Sequence, residues 1–129
     1  GGMAFTNAEI AGYLNKIKPP YNISSLNQRA VLRRLEKKES HRSQVTRIRE
    51  ERTRLSGEIA KLSCVVEVYP SDANFILTRM KDAAKIYEYL VNKGIIVRNR
   101  SSLINNCLRI TVGSATENNK LLRALKNYK

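Results

Sequence analysis

The residues best suited to chemistry are two arginines near the C-terminus, Arg98 and Arg109. Each belongs to an apolar run: Gly94-Ile-Ile-Val-Arg98-Asn-Arg100, then Cys107-Leu-Arg109-Ile-Thr-Val-Gly113, with a short polar loop between them. A guanidinium presents a planar fork of N–H donors that matches carboxylate or phosphate geometry. Two such forks on neighbouring strands could converge on one small anion. Arg109 lies between Leu108 and Ile110 in a run otherwise suited to burial, where an unpaired charge is costly. Strand alternation puts it on the face of Thr111 and opposite Leu108 and Ile110. That face must be wet or must hold an anion, so two readings stay open: an anion site, or strand arginines whose heads reach solvent. Arg100 is a further candidate for the anion-binding part of either arginine.

No other constellation offers self-contained chemistry. The single histidine, His41, lies in the most polar stretch and reads as an exposed helix residue. No His/Cys cluster has zinc-like spacing, and no glycine-rich phosphate loop is present. Ser71-Asp72 sits in a turn with no histidine nearby. The sequence therefore predicts no catalytic residue and no metal ligand of its own.

The elements that must position the arginines are set by periodicity and punctuation. Asn7 is a plausible cap for a helix over residues 8–16, with Ile10, Tyr13, Leu14 and Ile17 on its buried face, stopped by Pro19-Pro20. Ser24 or Ser25 caps a second helix with Leu26, Ala30, Val31 and Leu35 inside. Residues 36–44 contain no apolar side chain, so this stretch is a solvated helix portion, a kink, or a break near Ser40. Val45, Ile48, Leu55, Ile59 and Leu62 then resume a helical stripe. Around it Arg42, Arg47, Arg49, Arg52 and Arg54 interleave with Glu50 and Glu51 as a solvated charged face, with pairs such as Arg47 to Glu50 and Glu51.

Beyond this, residues 65–69 and 75–79 read as strands joined by the turn Pro70-Ser-Asp-Ala-Asn74. Asp82 caps a helix with Ala83, Ile86, Tyr87 and Leu90, closed by Gly94. Residues 95–97 and 108–112 are the last strands, and Ser114 or Thr116 starts a final helix with Leu121, Leu122 and Leu125 inward. Two or three helices followed by β-β-α-β-β-α predict an α+β fold: a small, mostly antiparallel sheet covered by helices and preceded by long helices.

A chain of 129 residues with 42% hydrophobic and 27% charged content suits one domain with a modest core. No apolar run suggests a membrane span and no secretory signal is visible, so no membrane partner is expected. Cys64 and Cys107 have apolar, strand-like flanks and read as buried free thiols, which fits a cytoplasmic address. The net charge of +13 invites a nucleic-acid reading. The basic excess is spread along the whole chain, however, with no concentrated patch, so nucleic acid is not the expected partner. A stand-alone basic α+β module for nucleic acid or a small anion remains the alternative.

The segment 94–113 resembles the C-terminal end of the histidinol-phosphate aminotransferase family, pyridoxal-phosphate-dependent enzymes of fold-type I. Glu117-Asn118 with Leu121-Leu122 and Ala124-Leu125 is similar to the family's closing helix. Lys16-Ile-Lys-Pro-Pro-Tyr-Asn22 is similar to the passage from its large to its small domain. Pro70-Ser-Asp-Ala-Asn-Phe75, with Arg79 beyond, is similar to the strand pair that opens the small domain. Gly2-Met3-Ala4-Phe5 is similar to the family's segment just after its cofactor-binding lysine and arginine. The resemblance implies that residues 1–23 are a lead and connecting helix from the large domain and residues 24–129 the C-terminal small domain. It implies transfer of an amino group between glutamate and imidazole acetol phosphate, in histidine biosynthesis, by a homodimer. Arg109 would grip the substrate's anionic end and Arg98 would assist on its phosphate. Pyridoxal phosphate would be the cofactor of the complete enzyme and would not bind this chain alone. Its Schiff-base lysine would lie upstream, in an N-terminal large domain that is the chain's implied partner.

Overall fold

A computed structural model of the chain describes residues 4–19 and 23–128. The first glycines, and Pro20 with its two successors, lie outside the described residues. In chain order the elements are α1 (Ala8–Ile17), α2 (Ser25–Glu36), α3 (Lys38–Ala60), β1 (Val65–Val68), β2 (Phe75–Met80), α4 (Ala83–Asn92), β3 (Arg98–Asn99), β4 (Cys107–Thr111) and α5 (Ala115–Lys126). The chain divides into two compact units, residues 1–42 and 43–129, and the division falls within α3.

In the first unit the caps behave as their side chains dictate. Asn7 accepts from the Ile10 amide at 2.9 Å, and Ser24 from the Asn27 amide at 3.2 Å. Neither helix has the buried face its periodicity predicts. Ile10, Tyr13, Leu14 and Ile17 on α1, and Leu26, Ala30, Val31 and Leu35 on α2, are all exposed. Apolar spacing selects a face, but it does not supply what covers that face. The break in the polar stretch comes at Lys37, whose ψ of 47° leaves the helical region, and not near Ser40.

The second unit closes around a core. Leu55 and Ile59 of α3 are fully buried with Ile76, Met80, Ile86, Leu90, Leu108, Ile110 and Leu125. Val45, Ile48 and Leu62 are partly covered, and the helix stops at Ala60, short of Leu62. The sheet order is β1-β2-β4-β3, with every neighbouring pair antiparallel. Ile76, Thr78 and Met80 of β2 and Leu108 and Ile110 of β4 are buried on the face that α3, α4 and α5 cover. Residues 95–97 are not a strand, contrary to the sequence expectation. Val97 is buried and Ile96 is exposed, but ladder pairing begins only at Arg98, so the apolar run is an approach to a two-residue edge strand.

Helix ends are well determined. Gly94 has φ +67°, its amide donates to the Val91 carbonyl at 2.8 Å, and the Ile95 amide donates to the Leu90 carbonyl at 2.9 Å. This is the double-bonded C-terminal closure that a left-handed residue permits. Ser114 and Glu117 form a reciprocal capping box at the start of α5.

Three groups from the charged face of α3 have tertiary partners: Arg52, Glu51 and Arg54, the last donating to the Asn119 side-chain oxygen at 3.0 Å. Arg52 donates to the Ala73 carbonyl at 2.9 Å and tethers α3 to the β1–β2 turn. Glu51 accepts from Arg54 at 2.7 Å and from the Asn118 amide at 2.7 Å. The pairing at helical spacing expected of this face is made by Arg54 with Glu51 and by Arg42 with Glu39, whereas the example pair of Arg47 with Glu50 and Glu51 is not among the ion pairs of the described residues.

Candidate anion-binding face of the sheet

Helices cover one face of the sheet, which leaves Phe75, Leu77, Arg79, Arg98, Cys107, Arg109 and Thr111 on the other, and of these Cys107 is buried. The register sets Leu77 opposite Arg109 and Arg109 opposite Arg98. Directly opposed residues of an antiparallel pair point to the same side, with Cβ atoms about 5 Å apart. The two predicted arginines are thus cross-strand neighbours on one face. Two like charges in that relation repel, and among the described residues neither has a carboxylate partner within ion-pair distance.

Arg79, on the same face, contrasts with them. Its guanidinium lies 3.2 Å from Glu67 and donates through Nε to the Tyr69 hydroxyl at 3.0 Å. The Tyr69 hydrogen bond, with the charge of Glu67 adding to it, pushes the Arg79 pKa further up. Arg79 is structurally satisfied, whereas Arg98 and Arg109 keep their forks free.

Arg109 is half-buried, and its Nε is fully enclosed without a hydrogen-bond acceptor. Its guanidinium carbon lies 5.1 Å from the centre of the Phe75 ring, a cation–π contact. Arg98 is exposed. Arg100 begins the tight 100–107 loop: its amide donates to the Cys107 carbonyl at 2.8 Å and its carbonyl accepts from Leu103 and Ile104. The backbone there is committed to loop closure, and among the described residues the Arg100 side chain has no hydrogen-bond or ion-pair partner. Two clefts, of about 540 and 400 Å³, open elsewhere on the surface, and neither is lined by Arg98 or Arg109.

Sequence reasoning missed Phe75 and Asn118. Phe75 becomes visible only once β2 is known to lie beside β4. Asn118 carried a legible signal, since it occupies the same helical stripe as Leu121, Leu122 and Leu125 yet is polar. It is 2% exposed, accepts from the Gly113 amide at 3.0 Å and donates to the Gly113 carbonyl at 3.1 Å and to Glu51. Cys64 and Cys107 are buried free thiols, and burial pushes the Cys64 pKa up. His41 is exposed on α3, and the described residues hold no cluster suited to a metal ion.

The cofactor implied by the resemblance needs a lysine amine held beside it with a depressed pKa. Every described lysine is exposed, so the described residues do not fit the aldehyde end of pyridoxal phosphate. No helix among them is long and apolar enough to cross a membrane.

Comparison with known proteins finds relatives and shared fold over nearly the whole chain. The histidinol-phosphate aminotransferase of Bacteroides thetaiotaomicron is 53% identical over 129 residues, covering 98% of this chain and 37% of that protein. The crystal structure of the enzyme of that name from Clostridium acetobutylicum matches with a TM-score of 0.85 at 28% identity, over 93% of this chain and 37% of that one. The Sinorhizobium meliloti structure, in complex with pyridoxal 5′-phosphate, shares the fold with a TM-score of 0.78 at 23% identity, over 92% of this chain and 33% of that one. The chain thus spans a little over a third of the length of the relatives it matches. The model of the family described as aminotransferase class I and II matches residues 1–125, and the chain belongs to that family.

Proposed function

We propose that this chain works within a longer polypeptide as the small domain of a histidinol-phosphate aminotransferase, with residues 1–23 leading from the large domain and residues 24–129 forming the small one. The observation that carries the reading is the pairing of Arg98 with Arg109 across β3 and β4, with no carboxylate beside either. A protein gains no stability from opposing two cations on an open face. A phosphate lying between them would turn that repulsion into attraction.

In this reading Arg109 grips the phosphate of imidazole acetol phosphate through its fork, and the more exposed Arg98 supplies a second positive charge at the rim. Both orient the substrate, and neither moves a proton. Pyridoxal phosphate supplies the electron sink for amino transfer from glutamate. The lysine that holds it belongs to the remainder of the polypeptide, and the working enzyme is a cytoplasmic homodimer. The 53% identity to the Bacteroides thetaiotaomicron protein supports the substrate assignment.

Steady-state kinetics of the complete enzyme test the proposal. Arg109→Ala should lower kcat/KM for imidazole acetol phosphate at least about tenfold, because charge-assisted bonds to an anion contribute roughly 1.5–3 kcal/mol each. Arg109→Lys should restore only part of that, since an ammonium cannot reproduce the bidentate fork. An unchanged kcat/KM in Arg109→Ala would overturn the assignment.

A further inference from the structure

An enclosed guanidinium Nε without an acceptor calls for an explanation, because buried donors are nearly always satisfied. That atom belongs to Arg109, whose guanidinium carbon lies 5.1 Å from the centre of the Phe75 ring. Phe75 and Arg109 are diagonal on the sheet: Phe75 opposes Thr111, and Arg109 opposes Leu77. Two residues along each strand is the spacing at which an aromatic ring reaches a long diagonal neighbour.

We propose that Phe75 is a positioning residue for Arg109: its ring seats the guanidinium on the open face while leaving the N–H fork free for an anion. A carboxylate in the same place would hold the arginine equally well, but it would occupy the fork, as Glu67 and the Tyr69 hydroxyl do for Arg79. The negative face of a ring attracts the cation without accepting its directed hydrogen bonds. Arg79 also lies over a ring, that of Tyr69 at 5.6 Å, but its fork is taken, so Arg79 and Arg109 differ in that one fork is closed to ligands and the other open. The inference rests on the anion reading above, and it adds the residue that determines how tightly Arg109 holds the anion.

The test uses the 129-residue chain and inorganic phosphate, followed by NMR at the Arg109 Nε–H resonance. Phe75→Leu keeps an apolar side chain but removes the ring face, and Phe75→Tyr keeps the face. Phe75→Leu should weaken phosphate binding roughly three- to tenfold, should remove the ring-current displacement of the Arg109 resonance and should speed its exchange with water. Phe75→Tyr should remain within about twofold of the parent on the same scale of effects. Equal thermal stability of the two variants would separate positioning from general loss of packing. The proposal is overturned if Phe75→Leu leaves the Nε–H resonance and its exchange unchanged. If the parent chain shows no saturable phosphate response, the anion reading falls, and the Nε–H exchange alone then decides the positioning role.

Discussion

Helices α2 and α3 carry similar instructions and meet different fates. Leu26, Val31, Leu32 and Leu35 recur along α2 and are 57–74% exposed, whereas Leu55 and Ile59 on α3 have no exposed surface. The difference lies outside both helices. Residues 65–128 supply a sheet and two more helices against which the α3 stripe closes, whereas α2 has no buried residue. An apolar stripe is therefore a demand for cover, and the sequence of the helix alone does not say whether the demand is met.

Denaturant unfolding can break this comparison. Leu55→Ala should cost about 2–5 kcal/mol, the range for removing a fully buried leucine. Leu35→Ala should remain within about 0.5 kcal/mol, as surface sites do. Equal losses would show that the α2 face is covered in solution. A second substitution sharpens the picture of how the covered unit is fixed. Gly94→Ala should cost about 1–2 kcal/mol through left-handed strain alone, since an added Cβ would meet nothing nearer than Lys120 Nζ at 3.9 Å. The smallest effect should come from acid. Hydrogen bonds from Arg54 and then Asn118 hold the Glu51 carboxyl below its ordinary 4.5. A depressed folded pKa contributes stability above the unfolded value, and that contribution is lost as pH falls through the folded one. Glu51→Gln should therefore flatten the decline of stability with acid below about pH 4.5. A parallel decline in parent and variant would mean that Glu51 is not linked to folding.

Local chemistry was readable where it acts over a few residues. The caps Asn7, Ser24, Asp82 and Ser114 and the closing Gly94 all stand where side-chain reach and backbone freedom place them. The shortness of the loop after Arg98 also sufficed to bring that residue beside Arg109. What could not be read depends on long-range neighbours. Thr78 donates to the Leu108 carbonyl across thirty positions of sequence, and only that pairing brings Phe75 to Arg109. Ile95 and Val97 misled for a related reason: packing against the core and membership of a ladder both select apolar side chains, and only the register tells them apart.

The sheet's two borders bear on how the molecule behaves when crowded with its own kind. An open border exposes unpaired amides and carbonyls that can template another strand, which begins aggregation or strand exchange. Here β3 offers only two residues, one of them the cation Arg98, and β1 is interrupted by a register shift between Val65 and Glu67. The first border is too short to be copied, and the second is bent out of line at the point where Val66 is exposed. Concentrated solutions of the chain thus lack a straight edge on which fibrous stacking could start.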